Sequence, residues 1–193
     1  MKNGSHKHDL THINNVINTV ETVLEELNYN NKIIEEAKIS ALLHDIGCIK
    51  GKEGHAERSY EMARQYFEEN NINTGNNEMI LEAIKLHSGK EDTDNFIAKT
   101  LVFADKLDIK ADRLRDSWKN TDVIKEFQYI EDVIVNITKD TLSVNVIANK
   151  KINKASFESY YFIAKTFKAI ENFAKELTLK PEILFNNETW VIS

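Results

Sequence analysis

The stretch ISALLHDIG, Ile39 to Gly47, holds a histidine and an aspartate side by side at the end of an apolar run. Ile34, Ala37, Ala41 and His44 recur at steps of three and four, so the spacing predicts one helix from about Lys32 to Ile46, stopped by Gly47. On such a helix His44 and Asp45 share a side with Ala37 and Ala41, whose small side chains leave room for a close neighbour. A buried His beside a buried Asp is costly unless the two are paired or bound to a metal.

The same helical period extends on both sides of this stretch. Upstream, Leu10, Ile13, Ile17, Val20, Leu24 and Leu27 predict an amphipathic helix capped by Asp9 or Thr11. Downstream, after the loop CIKGKEG, Ala56, Tyr60, Ala63 and Phe67 mark a third helix starting near His55 and ending in the Asn-rich stretch 70–77. A fourth helix carries Ile80, Ala83, Ile84 and His87 and closes at Gly89. A fifth, with Ile97, Leu101, Ala104 and Asp108, is expected to begin near Asp94 and run past Arg113.

Beyond Val123 the period changes to two. Val133, Val135 and Ile137, then Leu142, Val144 and Val146, flank a Lys139-Asp140 turn and predict a β-hairpin. A long helix from Tyr160 to Leu177 comes next, with Pro181 as its expected terminator, and Ile183 to Ile192 can add a strand or a small hairpin. The expected fold is mainly α: a helical bundle over 1–122 with a small C-terminal α+β segment, hairpin plus long helix, over 123–193 and packed on it. The aromatic residues of that segment serve core packing or a homodimer interface.

Composition restricts the function. The 193 residues are 41% hydrophobic and 29% charged, and a chain of this length buries roughly 70% of its unfolded surface, enough for a core without disulfides. The lone Cys48 points to a reducing compartment. With no apolar run of ~20 residues and a polar N-terminus, a cytoplasmic protein with no membrane partner is expected. The net charge of −6 argues against long nucleic acids as partners, while small anions remain open where metal ions supply the positive field.

Histidines and aspartates supply the chemistry. His12 opens the first helix, His44-Asp45 ends the second, His55 opens the third, His87 ends the fourth, and Asp105 lies on the fifth. Antiparallel helices on short connections bring one helix's end beside the next one's start, so these residues converge at one end of the bundle. Imidazole and carboxylate without thiolate suit a divalent transition metal, iron or manganese first and zinc, cobalt or nickel next. Cys48, past Gly47, is expected to point elsewhere as a small buried hydrophobe. His8 is read as an idle surface histidine or a substrate contact, and His6 is given no role.

The ordered series THINNV, LLHDIG, GHAERSYEMA, IKLHSG and FADKLD resembles the HD superfamily of metal-dependent phosphohydrolases over roughly residues 8–116. The resemblance implies a core metal set of His12, His44, Asp45 and Asp105. With His55 and His87 in the two further histidine places, it implies two ions bridged by Asp45. The implied reaction is cleavage of a phosphoester or phosphoanhydride of a nucleotide or similar small molecule by hydroxide held on the metals. Asp45 would orient that hydroxide.

Lys106 would clamp the phosphoryl oxygens, with Lys50 and Lys52 on a flexible lid and Arg113 as further substrate contacts. Asp108 would support a ligand histidine or pair with Arg113. The pattern is also similar to bacterial diadenosine tetraphosphate hydrolases, from which the C-terminal hairpin and helix depart. The run GCIKGKEG lacks the GYP triad of cyclic di-GMP phosphodiesterases. An HD-type diiron oxygenase uses nearly the same ligands and is the alternative enzyme; a ligand-sensing module with an inactive metal centre is the alternative without catalysis.

Overall fold

The computed structural model describes residues 8–89, 92–122 and 124–192; His6 lies outside them. The chain divides into two compact units, His8–Asp105 and Lys106 onward.

The first unit is helical: α1 (Leu10–Glu26), α2 (Asn31–Leu43), α3 (His55–Glu69), α4 (Asn77–Leu86) and α5 (Phe96–Leu107), the last running on into the second unit. Helix α1 packs on α2, and α2 and α3 each pack on α4. Asp9 caps α1 by accepting from the Thr11 and His12 amides, which satisfies two of the first-turn N–H groups. The buried face of α1 is rotated from the expected one: His12, Val16, Val20, Val23 and Leu24 are buried, whereas Leu10 is 72% exposed. His12 therefore continues the apolar stripe at i, i+4, i+8 spacing. His44 likewise extends Ile34-Ala37-Ala41 on α2, and Asp105 extends Ala98-Leu101 on α5. All these residues are buried.

Helix α2 is shorter than its periodicity suggests. It ends at Leu43 with His44 as C-cap, and residues Ile46–Lys50 form a 3₁₀ turn. Helix α5 stops at Leu107 instead of continuing past Arg113, which lies in a separate 3₁₀ turn, Ala111–Arg113. The physical reason is that Ile109 and Leu114 are buried in the second unit's core. Residues 106–122 therefore belong with the C-terminal segment, and the division falls earlier than 122/123.

The second unit carries β1 (Ile130–Ile137), β2 (Thr141–Ala148), α6 (Lys154–Glu158), α7 (Tyr161–Glu176), β3 (Lys180–Phe185) and β4 (Glu188–Thr189), with sheet order β1-β2-β3-β4. The hairpin register sets Val133 opposite Val146, Val135 opposite Val144 and Ile137 opposite Leu142. Strand β3 joins β2 in parallel after the α6–α7 crossover, and β4 returns antiparallel. Asn186 and Asn187, with φ of 50° and 68°, make the last turn, a conformation that matches the twist of paired strands. Phe127, Phe157, Ile163, Phe167, Phe185 and Trp190 fill the core.

Pro181 does not end α7; it sits in β3 opposite Leu142. The helix is closed earlier, by Leu179 N–H on Ala174 C=O at 2.8 Å and Thr178 N–H on Lys175 C=O at 3.0 Å. This pair of bonds needs a left-handed residue between helix and strand, here Thr178 at φ 58°. A β-branched residue is strained there by about 1–2 kcal/mol. Thr178→Gly is expected to raise stability by about 0.5–1 kcal/mol after the added chain entropy is counted; an unchanged or lower urea midpoint would contradict this.

Candidate metal centre

Three histidines are aimed by the same device. The last carbonyls of a helix have no intrahelical donor. At the end of α2, His44 Nδ1 donates to Ala41 O at 2.7 Å; at the end of α4, His87 Nδ1 donates to Ile84 O at 2.7 Å. His55, at the start of α3, donates its Nδ1 proton to Lys52 O at 2.7 Å. In each ring the proton is thereby fixed on Nδ1, and Nε2 carries the bare lone pair.

Those Nε2 atoms converge on Asp45. Its Oδ2 lies 3.3 Å from His12 Nε2 and 3.3 Å from His44 Nε2. Its Oδ1 lies 3.3 Å from His55 Nε2 and 3.6 Å from His87 Nε2. Asp105 Oδ1 stands 3.5 Å from His12 Nε2. All six residues expected from the sequence are thus gathered, in two groups that share one carboxylate. The His12–His44 Nε2 separation is 3.2 Å and the His55–His87 separation 2.9 Å. The second pair cannot hydrogen-bond as neutral rings, since both protons are already on Nδ1.

This donor set fits divalent ions. Donors bound at ~2.0–2.3 Å around one tetrahedral ion lie roughly 3.3–3.8 Å apart, close to the spacings around each Asp45 oxygen. His12, His44 and Asp105 form one group able to hold an ion, His44, Asp45 and His87 another, and His8, Asp45 and Cys48 a third. Without a metal ion, burial alone would push the Asp45 carboxyl up, but the N–H groups that the His12, His44, His8 and His87 imidazoles turn to it when protonated hold it well below the usual carboxylate range. His55 is shifted down by burial and by the neighbouring His87, with Asp45 pulling the other way.

That shift has a testable sign. Below about 6.5 the unfolded chain takes up a proton at His55 before the folded one does, so falling pH lowers the stability contributed by this group. Chelator-treated protein is expected to lose melting temperature as pH drops through this range, with a shallower slope in His55→Gln. Equal slopes in the two proteins would contradict it.

Two further neighbours escape a periodicity-based reading. Cys48 does not point elsewhere: its Sγ is 3.4 Å from Asp45 Oδ1, and burial together with that carboxylate pushes the thiol up to about 12. His8, which precedes the α1 cap, is not an idle surface group, since its Nδ1 lies 2.5 Å from Asp45 Oδ2.

Lys50 and Lys52 are exposed, but their loop is not a loose lid. Arg58 donates Nε to Gly47 O at 3.0 Å, Nη1 to Glu53 O at 2.6 Å and Nη2 to Gly51 O. Five guanidinium donors suit three clustered carbonyls, a role for Arg58 that residue spacing does not announce. Lys106 directly follows Asp105 and is half-buried. Arg113 is buried, with Nη1 on Asp108 O at 2.8 Å and Nε 3.8 Å from Asp108 Oδ2. Asp108 thus pairs with Arg113.

No helix among the described residues is long and apolar enough to cross a membrane. Ribonuclease Y of Mycoplasmoides gallisepticum (strain R(low / passage 15 / clone 2)) is 28% identical over 191 residues, which make up 93% of this chain and 31% of that protein. The chain therefore spans about a third of the length of the curated relative it matches. A model of the HD domain matches residues 9–115, more than half of the chain and the whole stretch from the α1 cap through His12, His44-Asp45, His55, His87 and Asp105. This chain belongs to the HD domain family.

Proposed function

We propose that the protein is a metal-dependent phosphohydrolase acting on a phosphoester or phosphoanhydride of a nucleotide or similar small molecule. Its HD domain and His/Asp clusters support a metal-dependent hydrolase in general. The observation that carries the reading is Asp45 with one oxygen toward each imidazole pair. The His55 and His87 lone pairs, aimed at one another, call for a cation between them, and the His12–His44 pair meets the other oxygen of the same carboxylate. Bound there, divalent ions supply a positive field for the phosphoryl oxygens and acidify water.

The protein's own residues do the rest. His44, His55 and His87 keep their tautomers through backbone carbonyls, and Asp45 remains ionised between the two groups. Lys106 is assigned to neutralise charge that develops on the phosphoryl oxygens, and exposed Lys50 and Lys52 to attract the substrate's phosphates. Iron or manganese is the proposed metal, and two ions the proposed number.

The match to a ribonuclease favours one second reading, a phosphodiester in RNA. The net charge of −6 favours short oligonucleotides over long chains. The test is metal analysis of anaerobically purified protein, then a screen of nucleotides, dinucleoside polyphosphates and short RNA with Mn(II) or Fe(II) restored. Anaerobic release of phosphate or a phosphomonoester supports hydrolysis. Obligatory oxygen consumption would replace it with the diiron oxygenase reading.

A further inference from the structure

His8 reverses the polarity of the other imidazoles around Asp45. His44, His55 and His87 spend their Nδ1 protons on backbone carbonyls and turn bare Nε2 atoms inward. His8 turns Nδ1 itself toward the centre, 2.5 Å from Asp45 Oδ2. An ionised carboxylate can only accept, so this Nδ1 must carry the proton and is a donor to Asp45. The Cys48 thiol stands in the same relation to the other oxygen, 3.4 Å from Oδ1. Each Asp45 oxygen therefore has an imidazole pair within 3.3–3.6 Å and a protein donor beside it. The His8 side chain is 15% exposed and that of Asp45 3%, so little water is available to take the donor's place.

We propose that His8 is a positioning residue that holds Asp45 in its bridging orientation through Nδ1–H, with Cys48 as the weaker partner on the opposite oxygen. This rests on the metal reading above. A carboxylate tethered at both oxygens is limited in rotation about its χ2 axis, so both ion positions keep their shared ligand. Without His8 the carboxylate is free to turn, and one position loses an oxygen. Partners that orient a metal ligand in this way typically contribute about 10–100-fold in metal affinity.

The test is calorimetric titration of this chain, chelator-treated, with Mn(II) alone, with electron paramagnetic resonance to report whether two ions are coupled. His8→Ala is expected to weaken Mn(II) binding by about 10–100-fold and to remove the coupled signal. In His8→Asn the amide nitrogen occupies the Nδ1 position, and this variant should recover both properties. Cys48→Ala should lower affinity less than His8→Ala, and Cys48→Ser, which keeps a donor, should restore it.

Metal-free melting temperatures of the His8 variants serve as the folding control. The proposal is overturned if His8→Ala binds Mn(II) as the wild type does, or if His8→Asn is as weak as His8→Ala while both melt normally. Failure of the wild type to bind Mn(II), Fe(II) or Zn(II) at all would overturn the metal reading itself, a result distinct from an unaffected His8 variant.

Discussion

Asp45→Asn is expected to abolish tight metal loading and to lower turnover by at least about 10²–10³-fold, the scale of losing a principal electrostatic stabiliser. The amide keeps the carboxylate's shape and fits the same space, so the fold should survive. It loses the charge that would offset bound cations, and it exchanges one acceptor oxygen for an N–H₂ group. One of the two imidazole pairs would then meet a donor where a shared ligand is required. The check is metal content after gel filtration, measured beside turnover on the best substrate from the phosphoester screen. Retention of wild-type metal content and of activity would rule out the proposed bridging role of Asp45.

Gly47→Ala should be nearly as damaging, although the added group is one methyl. A Cβ at Gly47 would lie 2.5 Å from His55 O, 2.6 Å from Ser59 N and 2.8 Å from Arg58 Cβ. Two of these are backbone atoms of the first turn of α3, which has no flexible end to move aside. Gly47 N–H also donates to Ser59 Oγ at 2.9 Å, a bond that requires the close approach. Relief means separating the His44-Asp45 turn from α3, the helix that carries His55. Overpacking of this kind costs about 1–3 kcal/mol. The larger consequence should be weaker ion binding on the His55 side, and a variant with wild-type denaturation midpoint and metal affinity would refute this account.

The contrast between the two residues shows what a sequence reveals. The convergence of His12, His44, Asp45, His55, His87 and Asp105 was legible because each continues or terminates an apolar stripe, and stripes are what periodicity detects. The role of Gly47 was only half legible. A glycine after a helix reads as a stop, yet here the α-helix has already ended at Leu43 and Gly47 is required by contact with a helix eight residues onward.

His8, Cys48 and Arg58 were harder to place, since none of them lies on a buried helical stripe. His8 precedes the α1 cap, Cys48 sits in a 3₁₀ turn, and Arg58 acts through its guanidinium on carbonyls of an irregular loop. The end of α5 and the place of Pro181 depart from expectation for a different reason. Residues 108–114 keep helical spacing, but burial of Ile109 and Leu114 in the second unit overrides local preference. Likewise, α7 has already closed through Thr178 before the proline is reached.

The histidines at the ends of α2 and α4 have a consequence for amide exchange. Helix ends are ordinarily where a protein opens first, but here a last-turn carbonyl of each is tied to a ring whose other nitrogen faces the Asp45 carboxylate. An ion bound to those rings would slow exchange in the last turns of both helices, and opening of either end would weaken its hold. Ion affinity and the stability of two helix termini are then linked, because free energy of binding is also free energy of local folding.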